Sequence, residues 1–254
     1  KMFRSSNINV MSNSILKAAK VLRRDFGELE LQNSFSGIEN FIENTVENTQ
    51  EIIHSELSKA RPSWKYLVIK REKDIKDLVI EDYTFVVSIL DGLDNFKKGI
   101  SYFSTSITIV FKKKPIASVI YDPIKDELFF AENGKGAFLN NSRIRISSQS
   151  KITDALLVLE NKDFFYSNLT KSLIKKYDPH VRVFGCSTLD LANISAGRYD
   201  ILFTRKLDKF RDAGVLLLLQ EAGGIILELS KENIDILSNN VLSEIIKLNE
   251  KDFN

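Results

Sequence analysis

Cysteine is nearly absent: the 254-residue chain has one, Cys186. A single thiol excludes an intramolecular disulfide and a multi-cysteine zinc site, and it suits a reducing cytoplasm. Histidine is almost as rare. His54 and His180 have no cysteine or acidic partner at metal-ligand spacing, and both read as surface residues. An excess of one charge is missing as well, with 36 Lys and Arg against 34 Asp and Glu, a formal net charge of +2. Nothing global therefore points to a nucleic acid or a membrane surface. Long apolar runs are lacking too. The run 214-GVLLLL-219 is far too short to span a bilayer, and KMFRSSNINVM at the start has no apolar core of the secretion-signal kind. Glycine (11) and proline (4) are scarce against a usual joint share of roughly 12%. Asn, Lys and Ile are abundant, a pattern expected of drift toward AT-rich codons. What is present is core material: 43% hydrophobic residues, with 17 Phe and 7 Tyr, exclude disorder and fill one large domain or two small ones.

Periodicity divides the chain into two rhythms. Residues 11–25 place Met11, Ile15, Ala18, Ala19 and Leu22 at helical spacing before Gly27, and residues 43–60 form a second helix that stops at Pro62. Strand-like stretches follow at 66–69 and 83–90. From 101 to 146 alternating segments separated by turns read as an antiparallel meander, with Lys112, Lys113 and Lys114 as a solvated turn. Beyond it, strands at 155–159, 181–184, 199–204 and 225–229 alternate with helices near 163–176, 187–196, 212–222 and 241–250. An α+β half (1–150) followed by an α/β half (151–254) is the expected division, in one continuous α/β unit. Trp64 and the phenylalanines are assigned to the core, and Cys186 to packing at a helix start.

Three segments carry residues suited to chemistry. In 88-SILDGLDNF-96 an apolar strand ends at Leu90 and Asp91-Gly92 turns into a short polar segment, a place where a carboxylate before a helix start can hold a metal beside a phosphate. A plain Asp-Gly turn is the bland alternative. In 210-FRDAGVLLLLQEAGG-224, Asp212 opens an apolar helix, which a simple cap also explains. In 185-GCSTLDLANISAGRYD-200, Gly185 and Ser187 open a small-residue helix whose N–H groups can face an anion or merely be capped.

Taken in order, these segments, with ARP at 60–62 and YDPIKDELFFAENGKGAFLNNSRIRIS at 121–147, resemble the inositol monophosphatase family nearly end to end, close to its bacterial extragenic-suppressor branch. The resemblance implies a layered α/β/α/β/α sandwich, a homodimer, a cytoplasmic location, and Mg²⁺-dependent hydrolysis of phosphate monoesters by carboxylate-held metals. Branch members also imply a transcription or RNA-related protein partner.

Set against the family motifs, the chain is depleted. Asp91 and Asp212 are the remnant metal ligands, while Val46, Ile69 and Ser88 stand where the family carries acids and Leu93 where it carries Thr. Glu43 replaces the Thr that helps to activate water. Lys70, Arg71, Arg205 and Arg211 align beside the old acidic site, and Arg205 takes the place of a substrate-binding Glu. Gly92, Leu93, Asp94, Ser187, Arg205 and Arg211 are the expected phosphate- or substrate-facing residues. The resemblance thus implies a catalytically impaired member, with Mg²⁺ weak or absent, kept as a binding or regulatory protein for an anionic small molecule. The alternative is a weak Mg²⁺-dependent phosphatase that recruits Glu43, Glu72 or Asp94 as ligands.

Overall fold

A computed structural model describes residues 4–29, 35–69, 80–229 and 233–251. Two helices lead, α1 (Ser6–Glu28) and α2 (Phe35–Ala60). Ser5 caps α1 by accepting the Ile8 N–H at 3.2 Å. Gly27, expected to end this helix, stays within it. Strands β1 (Lys65–Val68) and β2 (Thr84–Asp91) then pair in parallel, and a short α3 (Leu93–Lys97) follows.

The meander appears as β3 (Ser104–Phe111), β4 (Lys114–Asp122), β5 (Glu127–Glu132), β6 (Gly136–Leu139) and β7 (Ser142–Ile144). It completes a sheet of order β1-β2-β3-β4-β5-β6-β7, antiparallel from β2 onward.

The second sheet runs β11-β12-β10-β8-β9. Its strands are β8 (Leu156–Leu159), β9 (His180–Arg182), β10 (Ile201–Arg205), β11 (Ile225–Leu229) and β12 (Ile234–Ser238). Its helices are α4 (Asn168–Tyr177), α5 (Ser187–Ser195), α6 (Ala213–Glu221) and α7 (Asn240–Lys251).

Side-chain alternation sorts these elements into five layers. On one face of the first sheet, Phe85, Val87, Ile107, Ile109, Val119 and Tyr121 meet Ile8, Met11 and Ile15 of α1 and Ile53 and Leu57 of α2. On the other, Ile120 and Ala131 meet Leu189 of α5 and Leu218 of α6, which also touch Leu202 and Leu237 of the second sheet. That sheet's far face, with Leu157, Ile201, Phe203 and Ile236, is covered by Leu169 and Leu173 of α4 and Leu242 and Ile246 of α7. The expected layered sandwich is therefore the fold. No helix among the described residues is long and apolar enough to cross a membrane.

Three local expectations need correction. The helix expected over 163–176 is broken: a 3-10 turn spans Lys162–Tyr166, and Ser167 then starts α4 afresh by accepting the Thr170 N–H at 3.1 Å. Strand β12 is an addition, and its short IDILS run lacks the length that separates strand from helix on pattern alone. Not every aromatic is core. Phe165 is 38% exposed, and Trp64 is half-buried, stacked on Tyr83 at 4.5 Å.

Candidate functional site

Asp91 is the last residue of β2, and the strand leading to it is irregular. The β2–β3 register shifts between Ser88 and Asp91. Residues three apart on a regular strand face opposite sides, whereas a bulge realigns them. Ser88 and Asp91 consequently line one cavity. Gly92 makes the turn at φ +81°, where a Cβ would stand 2.9 Å from the Tyr102 carbonyl oxygen and 3.1 Å from the Cys186 Cβ, so glycine alone fits. Asn95 locks the turn, its Nδ2 donating to the carbonyl oxygens of Tyr102 and Phe184, each at 2.8 Å.

This turn delivers Asp91 to the start of α5. Cys186 occupies the cap position there and makes no side-chain cap bond. Asp91 supplies what is missing: its Oδ2 accepts the Thr188 N–H at 2.7 Å, with the Cys186 Sγ at 3.3 Å and the Ser187 Oγ at 3.5 Å. A carboxylate at a helix N-terminus meets both unpaired N–H groups and the positive end of the dipole. The cap expected within the helix start thus comes from the first sheet.

Asp212 precedes α6 without capping it. Its carboxylate turns to the chain around β10 instead. Arg205 donates from Nη1 and Nη2 at 2.9 and 3.0 Å, one bond to each oxygen. Arg211 adds an Nη2 contact at 3.1 Å, and the Asp208 N–H donates at 2.7 Å. Asp208 shapes the loop by accepting the Phe210 and Arg211 N–H groups at 2.8 and 2.9 Å. Burial pushes the Asp212 carboxyl up, but the hydrogen bonds and charge of Arg205 overrule it and hold the group below its ordinary value.

The cavity between these features has a volume of about 340 Å³. Asp91, Ser187, Thr188, Arg205, Arg211 and Asp212 line it together with Ile69, Ser88, Ser106 and Thr108. Ile69 reaches it because its N–H extends the β1–β2 pairing, donating to the Val87 carbonyl at 2.9 Å. Gly92 is buried in the turn, while Leu93 and Asp94 are exposed on α3 and are not among the lining residues. Glu43 is exposed on α2, and Val46 packs in the apolar contacts of that helix. Lys70, Arg71 and Glu72 lie outside the described residues. Among the described residues no group of three His, Cys, Asp or Glu side chains is placed to hold a metal ion.

Two groups beside the site escape sequence reasoning. Glu160, after β8, accepts the Arg205 N–H at 2.8 Å and the Thr204 hydroxyl at 2.7 Å, with Arg205 Nε 3.5 Å away. Nothing local in the sequence signals that role. Asp190 of α5 is fully buried, accepts the Tyr102 hydroxyl at 2.8 Å, and has no hydrogen-bond partner on Oδ2. Burial, with the charges of Asp91 and Glu160, raises its carboxyl to about 8 despite the Tyr102 hydrogen bond. Its one legible signal is an acid among the apolar residues of a helix.

Comparison with known proteins agrees with this architecture. The profile of the inositol monophosphatase family matches residues 5–251. An inositol-1-monophosphatase of Rhizobium meliloti (strain 1021) is 35% identical over 229 residues, covering 88% of this chain and 85% of the relative. The Nus factor SuhB of Escherichia coli (strain K12) is 28% identical, covering 93% and 90%. The crystal structure of the extragenic suppressor protein SuhB from Bartonella henselae superposes with a TM-score of 0.78 at 30% identity, covering 98% of this chain and all of that one. With a fold and a sequence shared along almost its whole length, the chain belongs to the inositol monophosphatase family.

Proposed function

We propose that this chain is a family member impaired in phosphate-ester hydrolysis, retained as a binding or regulatory protein. One observation carries the reading: Ile69 lines the same cavity as Asp91 and Asp212, so a hydrocarbon faces the site where the family motif places an acid. The family uses Mg²⁺. That ion needs near-octahedral oxygen ligands, usually with one or two carboxylates besides phosphate. Here the described residues offer Asp91, already capping α5, and Asp212, already paired with Arg205. Two carboxylates already engaged in this way suit at most one weakly held ion and not a two-metal arrangement, which supports a Mg²⁺ site that is weak or absent.

The ligand we propose is a small molecule with an anionic group, met by the wall of Arg205, Arg211, Ser187 and Thr188. A homodimer, a cytoplasmic location and a transcription-related protein partner belong to the same proposal. The last is supported by relatives that carry the name Nus factor SuhB. The deciding assay is phosphate release from inositol monophosphate over a wide Mg²⁺ range, beside an Asp91→Asn control. No release above the control is expected, with inositol monophosphate still bound in EDTA. Release that climbs with Mg²⁺ and disappears in Asp91→Asn would establish a working hydrolase instead, and absence of binding in EDTA would remove the metal-free ligand site.

A further inference from the structure

Asp212 already has a cation, and that cation is part of the chain. A carboxylate offers about four lone-pair sites. Oδ1 accepts from Arg205 Nη2 at 3.0 Å, and the Arg211 Nε N–H is shared between Oδ2 at 3.2 Å and Oδ1 at 3.4 Å. Oδ2 accepts from Arg205 Nη1 at 2.9 Å, the Asp208 N–H at 2.7 Å and Arg211 Nη2 at 3.1 Å. Both oxygens carry guanidinium donors, and Asp212 itself is 6% exposed. Bidentate guanidinium pairing is also the strong form of this contact. Arg205 is braced from behind by Glu160, which accepts its backbone N–H and is itself held by the Thr204 hydroxyl.

We infer that Arg205, braced by Glu160 and joined by Arg211, is a tethered cation that fills the oxygens of Asp212 and makes this side of the cavity blind to divalent metal ions. The inference rests on the reading of the pocket as metal-poor and deepens it, assigning the loss at Asp212 to a basic side chain and not to a missing acid. Ile69 and Ser88 remove ligands, whereas Arg205 blocks a ligand that is still there. A metal ion approaching Asp212 would have to expel two guanidiniums, each of which repels it.

The test uses Mn²⁺ and Mg²⁺ alone, by calorimetry and thermal melting, on the wild type, Asp212→Asn, the double variant Arg205→Gln/Arg211→Gln, and that double variant with Asp212→Asn added. Wild type and Asp212→Asn should respond alike to Mn²⁺. The double variant should bind Mn²⁺ at least about tenfold more tightly than wild type, and Asp212→Asn should abolish the gain. A wild-type affinity that collapses in Asp212→Asn would overturn the inference, as would a double variant with no gain. Should the arginine variants fail to fold, wild type against Asp212→Asn decides: equal melting shifts between EDTA and millimolar Mg²⁺ are expected, and a wild-type rise that is lost in Asp212→Asn would overturn the tethered cation. The two proposals can also fail separately. A wild type that hydrolyses inositol monophosphate while Asp212→Asn leaves its metal response unmoved would sink the proposed function only. A wild type without activity whose metal response depends on Asp212 would sink this inference only.

Discussion

Asp190 shows how a single buried atom sets a pH dependence. Its Oδ2 lacks a hydrogen-bond partner, and its Oδ1 accepts the Tyr102 hydroxyl, which also meets Tyr199 and Asn193. A neutral carboxylic acid suits such a site better than a carboxylate, which agrees with a folded value of about 8 against an ordinary 3.8. Between these values the folded chain holds a proton that the unfolded chain has released. Stability from this group is therefore full below the unfolded value and declines as pH rises toward 8, by a few kcal/mol on the order-of-magnitude scale of such shifts. Asp190→Asn has no proton to lose, so its denaturation midpoint should fall less than that of wild type from pH 5 to pH 8. Parallel pH profiles for the two proteins would show that Asp190 is ionised in the fold.

Among the elements, α6 packs directly on the first sheet, and Gly214 permits the close approach. A Cβ there would meet the Thr108 Oγ1 at 2.2 Å and the Ser118 Cβ at 3.2 Å, while the Ser118 hydroxyl donates to the Gly214 carbonyl at 2.9 Å. Gly214→Ala should cost about 1–3 kcal/mol by overpacking, measured by denaturant unfolding, and Thr108→Ala in the same chain should restore much of it. A fully stable single variant would mean that α6 shifts freely. Elements of this kind were legible where one face or one rhythm dominated. The meander over 101–146 is cut into apolar segments by turns that keep polar or left-handed residues such as Asn140 at φ +53°. Helix α1 showed its buried stripe of Met11, Ile15 and Leu22. The candidate site was half legible: Asp91, Ser88, Ile69, Arg205 and Asp212, singled out from the sequence, line one cavity. What stayed hidden was pairing across distance. Asp91 capping α5 and Glu160 bracing Arg205 depend on tertiary placement, which no local periodicity encodes.

At the scale of the whole molecule, Cys186 reports on the integrity of all five layers. It lies 1% exposed at the centre, between the first sheet and α5, and burial followed by the nearby Asp91 charge pushes its thiol well above the ordinary value. Labelling by a thiol reagent should be very slow in native buffer and should accelerate with denaturant in step with global unfolding. Rapid labelling of the native protein would reveal local opening around α5. The same region carries a contrast in chain distance. Asp91 and Thr188 are 97 residues apart, whereas Arg205 and Asp212 are 7 apart. A ribosome delivers the chain from its N-terminus, so Asp91 waits for nearly a hundred further residues before α5 exists to receive it. The guanidinium of Arg205 reaches Asp212 within two turns' worth of chain, a loop that closes at little entropic cost. One wall of the cavity is thus settled by its own neighbours in sequence as soon as they emerge, while the opposite wall joins two parts of the chain made far apart in time.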